Sequence, residues 1–286
     1  MLEEIEAILQ SCDSESPLLP PTMLFNEGWC LRIILNWFSK HEMKGHPLSF
    51  ELNSIWYSEG LLRSPFLPRN RSDKLSESWT HADGVSGNFI IKNKNLSAIE
   101  LLPEAKRFVV LEAKIYSKLS QGVSHAGYYD QAARYVSCIA ELLQNSGNRP
   151  QNIRHLAFHV LAPESQIKAN VFTSNLSRES IYQKVVRRVG EYGDQKKAWF
   201  DEWFVPTLDT IIISAISWEE ILESIKKADP NGHDNIKRFY EKCLKYNQLT
   251  TVDVEQISAY DGTLGFIDAL QQKTKGNPSV DVRLDI

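Results

Sequence analysis

The chain has 286 residues, 42% hydrophobic and 24% charged, which is enough apolar material for a full globular core. Its formal net charge of −4 and pI near 6.0 exclude a globally basic nucleic-acid-binding protein, so any such contact needs a local basic patch. The four cysteines are scattered without a C-x-x-C pair, which argues against a zinc ribbon, an iron–sulfur cluster and a disulfide framework.

The first part of the chain predicts helices separated by an arm and a loop. Residues 1–10 predict a short amphipathic helix, whose acidic character is unlike the basic start of a signal peptide. Prolines within residues 14–22 predict an extended arm. Apolar spacing predicts a largely buried helix over 26–40 and a second, less regular helix around 54–62. A Pro- and Arg-rich loop follows.

Strand patterns dominate the middle of the chain. Residues 81–92 predict a strand with a turn or bulge at its glycines, and residues 99–102 a short strand. Residues 108–114, FVVLEAK, have the strongest strand pattern. A long helix is expected over 128–144, followed by a strand over 155–161.

The last part of the chain predicts helices around one buried strand, at 210–217. The helices are expected near 179–192, 195–204, 218–227, 235–246 and 262–273. This order predicts an α/β fold with a central mixed sheet, helices on both faces and a helical C-terminal extension. We predict one domain over 1–286, with an arm over 1–24, a core over about 25–217 and the extension over about 218–286.

The segment 108–114 places two charges on one strand face, because alternate residues of a strand share a face. One face carries Phe108, Val110, Glu112 and Lys114, and the other carries Val109, Leu111 and Ala113. A buried carboxylate and ammonium are costly unless they pair or meet a metal or substrate. The simpler alternative is an ion pair at the surface end of the strand.

The letters E-A-K alone carry little information in a chain of this length. The same triplet occurs at Glu104-Ala105-Lys106, where it follows Pro103 in a polar turn with no apolar strand before it. Context therefore distinguishes the two triplets.

A second acidic residue, Asp83, lies in the stretch HADG at the start of the preceding strand hairpin. If the two strands are neighbours, Asp83 and Glu112 can share one cation. Magnesium prefers a few hard oxygen ligands and keeps several waters, so two carboxylates and a backbone carbonyl suffice. The alternative is a turn residue, because Asp-Gly is a common turn pair.

The helix after the strand carries Gln131 and Tyr135 at positions i and i+4, which lie on one helix face. If the helix packs over the sheet edge, both side chains reach toward the acidic residues. A half-buried helix face without a role in the site is the alternative.

Taken together, these features resemble the PD-(D/E)XK nuclease superfamily over roughly residues 81–161. The Q-x-x-x-Y pattern is similar to the RecB-like branch. Two features depart from the family pattern: Ala82 stands where proline is often found, and the cysteines lack the iron–sulfur spacing common in that branch. The resemblance implies a restriction-endonuclease-like three-layer αβα core.

The resemblance also implies residue roles. Asp83 and Glu112, helped by the carbonyl of Ala113, would hold magnesium, for which manganese would substitute. Lys114 would orient or help deprotonate the attacking water and stabilise the developing phosphate charge. Positioning of the phosphate or of the lysine would fall to Gln131 and Tyr135. The expected activity is that of a DNA endonuclease leaving a 5′ phosphate and a 3′ hydroxyl, with a homodimer as a reasonable arrangement for cutting duplexes.

Several other residues have two interpretations. Glu27 opens the first long helix, where it either stabilises the helix dipole, as we favour, or adds a metal ligand. Basic residues near the motifs could contact phosphates or be solvated: Arg63, Arg69, Arg71, Lys74, Lys118 and Arg134. The histidines show no metal-ligand spacing: His81 and His125 flank the motifs, and His155 and His159 lie on a strand.

Two other functions stay open from the sequence. A nuclease-fold subunit that binds or scaffolds with little activity would agree with the acidic pI, and an RNA nuclease could use the same site. The absence of G-x-S-x-G and of a P-loop argues against a serine hydrolase and an ATP motor. Scattered thiols, an acidic N-terminus and no long apolar run predict a cytoplasmic protein without a membrane span.

Overall fold

The computed structural model describes residues 1–92, 97–122 and 125–258, with the backbone alone for 249–258. The helix predicted over 262–273, and with it the end of the predicted extension, lies outside the described residues. Helix α1 spans Leu2–Ser11 and helix α2 spans Glu27–Phe38. Asn26 caps α2, because its side chain accepts a hydrogen bond from the backbone N–H of Trp29.

In the part of the chain that the structure describes, seven strands form a five-stranded sheet and a two-stranded sheet. They are β1 Ile55–Leu62, β2 Thr80–Gly87, β3 Phe89–Ile91, β4 Ile99–Leu101, β5 Arg107–Ala113, β6 His155–Ala162 and β7 Ile212–Ser217. The main sheet has the order β1-β2-β5-β6-β7, and β3 pairs with β4. Pairs β1–β2 and β2–β5 are antiparallel, whereas β5–β6 and β6–β7 are parallel. The sheet is therefore mixed, as predicted.

Helices cover both faces of this sheet. After α2 they are α3 Gln131–Ser146, α4 Glu164–Lys168, α5 Thr173–Leu176, α6 Arg178–Gly190, α7 Lys197–Trp199, α8 Val205–Thr210, α9 Trp218–Ala228 and α10 Pro230–Ser258. One core cluster joins the sheet to α3, α6, α7 and α8, and the other joins it to α2, α9 and α10. The predicted α/β fold with three layers and a C-terminal helical part is confirmed. Within the described ranges, no helix has the length and apolar character that crossing a membrane requires.

The predicted alternation along β5 is also confirmed. Phe108 and Val110 lie in the cluster that includes α3, whereas Val109 and Leu111 lie in the cluster that includes α2. All seven residues of β5 are buried, so the strand lies at the centre of the molecule. Glu112 faces the α3 layer by the same alternation.

The helix predicted around 54–62 is wrong, because this segment is strand β1. Its aromatic and β-branched residues favour a pleated surface, and the strand pairs with β2 along its length. Glu59 interrupts the ladder with φ of +56°, a left-handed conformation uncommon for a residue other than glycine. The strand places Glu59 beside β2, which a helix would not do.

The segment 81–92, predicted as a strand with a turn or bulge at its glycines, divides into β2 and β3 at Gly87, whose φ is +140°. A Cβ atom there would lie 2.2 Å from the carbonyl oxygen of Arg107 in β5. Only glycine tolerates both the backbone conformation and this close approach. The chain can thus leave the main sheet after β2 and form the small β3–β4 sheet.

Three histidines lie on or near β6: His159 is buried, and His46 and His155 are half-buried. His159 is 1% exposed, and its Nδ1 lies 2.9 Å from Oγ of Ser214 in β7. Burial first, and then the charge of His155, lowers the pKa of His159 to about 3. Burial and the charge of Arg107 lower the pKa values of His46 and His155 to about 4.

We therefore expect these histidines to lower the free energy of unfolding as the pH drops from 7 to 5, against an opposite contribution from the raised pKa of Asp83. Unfolding returns His159 to an ordinary pKa near 6.5, so the unfolded chain takes up a proton that the folded chain does not. Because the folded-state pKa of His159 lies well below 5, this proton uptake lowers the free energy of unfolding by about 2 kcal/mol between pH 7 and pH 5. Urea unfolding at pH 7 and pH 5 measures it, and His159→Asn should reduce the pH dependence. An unchanged pH dependence in that variant would show that His159 is not the group involved.

Candidate active site

Strands β2 and β5 separate at the residues that the sequence singled out. Their pairing runs from Gly87↔Phe108 to Gly84↔Leu111, and extending the register by one residue puts Asp83 opposite Glu112. Beyond that point, the N–H of Ala113 donates to the Oδ2 atom of Asp83 at 2.8 Å instead of to a backbone carbonyl. The fork between the strands therefore opens beside two carboxylates on the same face of the sheet.

The ammonium group of Lys114 contacts Glu112 directly. The distance from Nζ to Oε1 of Glu112 is 2.6 Å, and the two side chains are 12% and 2% exposed. The two charges form an ion pair, as in the simpler alternative, but the pair is buried and does not lie at the surface. The pair offsets part of the desolvation that burial imposes on each charge.

The surroundings of the Asp83 carboxyl group raise its pKa. Burial, and then the neighbouring negative charge of Glu112, raises the pKa of Asp83 to about 7. Glu59 on β1 acts in the same direction, whereas the N–H of Ala113 and the charge of Lys114 oppose it. Burial therefore favours the protonated form of Asp83, and a cation bound at the site would favour the carboxylate.

This donor set fits a hard divalent cation. Such an ion stabilises the charged form of two closely placed carboxyl groups, and magnesium needs few protein ligands. Among the side chains described, those of residues 1–92, 97–122 and 125–248, no three His, Cys, Asp or Glu form a metal-binding group. The ligands available are therefore Asp83, Glu112, the Ala113 carbonyl and water.

Tyr135 of α3 bridges the fork from above. Its hydroxyl lies 2.5 Å from Oε2 of Glu112 and 2.8 Å from the carbonyl oxygen of His81. A hydroxyl has one proton, so it donates to one acceptor at a time, and a carboxylate is the stronger acceptor. Burial, followed by the charges of Glu112 and Asp83, raises the pKa of Tyr135 well above its ordinary value, which keeps it a donor.

Gln131 connects the same helix to the loop that follows Lys114. Its Oε1 accepts a hydrogen bond from the N–H of Ser120 at 3.0 Å, and its own N–H donates to the carbonyl of Ser120. Its side chain also contacts the hydroxyl of Tyr135. The structure thus brings Gln131 and Tyr135 together at the site. Of these two residues, Tyr135 is the one that contacts Glu112.

We expect Tyr135→Phe to weaken divalent-cation binding by about 10- to 100-fold, the usual loss when a group that orients a metal ligand is removed. The variant keeps the ring against Phe158 but removes the hydroxyl that holds Glu112. Calorimetry with manganese measures the affinity. Tyr129→Phe is the matched control, because Tyr129 is equally buried and packs against Phe66. Equal manganese affinities in the two variants would contradict this role for Tyr135.

Trp218 is a site-supporting residue that the sequence did not single out. Its indole N–H donates to the carbonyl oxygen of Lys114 at 2.9 Å, and the side chain is fully buried. The N–H of Lys114 donates in turn to the carbonyl of Leu161 in β6 at 2.8 Å. The backbone of Lys114 is therefore fixed on both sides, and no local pattern links residue 218 to residue 114.

Glu59 is the second residue that sequence reasoning missed. It lies beside Asp83 because β1 pairs with β2, and its carboxylate forms an ion pair with Arg32 at 3.0 Å. The helix predicted over this segment concealed the position. Glu27, the acid considered instead, lies in the first turn of α2, where its charge favours the helix dipole.

The remaining predicted residues lie on β2, on α3 and in the loops between the elements. His81 is exposed, and His125 contacts the carbonyl oxygen of Leu75 at 3.1 Å. Arg134 donates to Oγ1 of Thr80 at 3.0 Å and so anchors the start of β2. Among the other basic residues, two form ion pairs, Arg63 with Glu141 and Arg69 with Asp73. Both arginines are exposed, as are Arg71, Lys74 and Lys118.

Comparison of the chain with models of protein families, with curated proteins and with solved structures finds no match. The geometry of the site is therefore the basis for assigning a function.

Proposed function

We propose that this protein is a magnesium-dependent nuclease of the PD-(D/E)XK type that cuts DNA internally. One observation supports this most strongly: Asp83 and Glu112 each lie one position beyond the last paired residues of neighbouring strands, with Lys114 2.6 Å from Glu112. Two carboxylates and a lysine at a strand fork suit phosphodiester hydrolysis, which needs a cation, an activated water and stabilisation of phosphate charge.

Each residue of the site has a proposed role in hydrolysis. Asp83, Glu112 and the Ala113 carbonyl would hold magnesium, which lowers the pKa of a bound water and polarises the phosphoryl oxygen. Lys114 donates to the attacking water or to the phosphate oxygen that gains charge. Tyr135 keeps Glu112 in place, because its hydroxyl donates to the carboxylate oxygen that faces α3.

The protein needs a local positive surface for DNA, because its net charge is −4. Exposed Arg71 and Lys74 lie in the loop that leads to β2, and exposed Lys118 lies in the loop that leaves β5. We propose that these side chains contact the phosphate backbone, which would make binding independent of sequence and sensitive to salt. A second copy of the chain would supply a site for the other strand of a duplex.

Incubation of the purified full chain with supercoiled plasmid and with linear duplex DNA tests the proposal. We expect nicked and linear products with magnesium or manganese and none with EDTA. Labelled single-stranded RNA in parallel reactions decides between DNA and RNA as substrate. Intact nucleic acids under all conditions would overturn the proposed activity and favour a binding or scaffolding role. All four cysteines lie among the described residues as buried free thiols, and we propose the cytoplasm as the place of action.

A further inference from the structure

Hydrogen bonds hold Asp83 on both of its flanks. On one flank its carboxylate accepts the N–H of Ala113. On the other, the β1–β2 ladder pairs Ser58 with Gly84 and Gly60 with Ala82 but skips Asp83 itself. There the Oγ atom of Ser58 donates to the carbonyl oxygen of Asp83 at 3.1 Å. The orientation of this residue therefore depends on a serine hydroxyl from the neighbouring strand.

Arg32 of α2 determines where the proton of that hydroxyl points. Its Nε atom lies 2.8 Å from Oγ of Ser58. A guanidinium only donates hydrogen bonds, so Ser58 must present a lone pair to it. The single hydroxyl proton is then directed away from Arg32, toward the carbonyl of Asp83. Arg32 thus fixes the direction of a hydrogen bond that it does not itself make.

Residues of β1 and α2 fix the position of the Arg32 guanidinium in turn. Its Nη2 atom lies 3.0 Å from the carboxylate of Glu59, and its Cζ lies 5.0 Å from the ring centroid of Trp29. Gly28 leaves the space that it needs, since a Cβ there would lie 3.3 Å from Nη1. A planar fork held in this way loses little further entropy when it forms the bond to Ser58.

We propose that Arg32 is a positioning residue of the cation site, which acts through Ser58 to hold Asp83 in the direction that binding requires. This inference rests on the proposed function, because it takes Asp83 as a metal ligand. Groups that orient a metal ligand typically contribute about 10- to 100-fold to metal affinity. The contribution of Arg32 should therefore appear in cation binding by the protein alone, without DNA.

Four variants of the full chain test this role by calorimetry with manganese. Two change Ser58, one changes Arg32 of α2 and one changes Glu59 of β1. We expect Ser58→Ala and Arg32→Met to weaken manganese binding at least about tenfold. Ser58→Thr keeps a hydroxyl and should stay within about threefold of the wild type. Glu59→Gln is the control for charge, because its amide oxygen can still accept from Arg32 while the carboxylate charge is lost.

Thermal unfolding in EDTA separates positioning from a structural role. Ser58→Ala should bind manganese weakly while its melting temperature stays close to that of Ser58→Thr. If Ser58→Ala binds manganese as tightly as wild type, the inference is wrong, and this pair decides the matter even if Arg32→Met does not fold. If Asp83→Asn instead binds manganese as tightly as the wild type, Asp83 is not a ligand, and the proposed function is wrong.

Discussion

Replacing Glu112 by glutamine should reduce magnesium-dependent DNA cleavage by at least about 1,000-fold, which corresponds to about 4 kcal/mol of transition-state stabilisation. Glutamine keeps the shape and an acceptor for the hydroxyl of Tyr135, but it removes the charge that would bind the cation. It also leaves the ammonium of Lys114 without the carboxylate that lies 2.6 Å away. Initial rates of plasmid nicking at saturating magnesium measure the effect.

The chain contains a matched control for this experiment. Glu104 belongs to the same E-A-K triplet but is exposed in a turn between β4 and β5. Glu104→Gln should therefore cleave DNA at the wild-type rate. Manganese calorimetry and thermal unfolding of Glu112→Gln distinguish loss of the site from loss of the fold. Cleavage by a folded Glu112→Gln protein at more than a tenth of the wild-type rate would remove Glu112 from the mechanism.

Replacing Trp218 by alanine should destabilise the protein by about 4 kcal/mol, in the range found for large aromatic side chains removed from a core. Trp218 is fully buried in the cluster beneath β5, where its ring lies 6.2 Å from that of Tyr240. The deletion leaves a cavity and also an unsatisfied carbonyl at Lys114. A fall in melting temperature of about 10 °C would accompany it.

A graded pair of variants separates packing from the hydrogen bond to the site. Trp218→Phe keeps most of the ring volume but lacks the indole N–H, so it should be destabilised less than Trp218→Ala. Its cleavage rate should nevertheless fall, because the backbone of Lys114 loses a fixed partner. Trp29→Ala serves as the control for stability, since Trp29 is 39% exposed. Equal stabilities of Trp218→Ala and Trp29→Ala would contradict the packing argument.

The strands that carry the site were predictable because their information is local. The apolar segment FVVLEAK has a strand pattern in which alternate residues share a face. This pattern alone placed Glu112 and Lys114 on the same face of a buried strand. The order of strands and helices likewise predicted a mixed sheet with helices on both faces. Both predictions use periodicity, which a strand expresses whatever its partners are.

The error at β1 shows where local information is insufficient. Eight residues with apolar positions on both sides agree with a short helix as well as with a strand, and their pairing with β2 decides the matter. That error concealed Glu59 and Ser58, two residues beside Asp83. The left-handed conformation of Glu59 has no signal in its own residue type.

The sequence by itself determined the periodic elements, the fold class and a short set of residues that can carry phosphodiester chemistry, because each depends on residues close together in the chain. Only the tertiary structure decided which groups support that set. Arg32 lies 26 residues before Ser58, and Trp218 lies 104 residues after Lys114. Contacts of this kind exist only after distant segments pack against each other, so no local pattern specifies them.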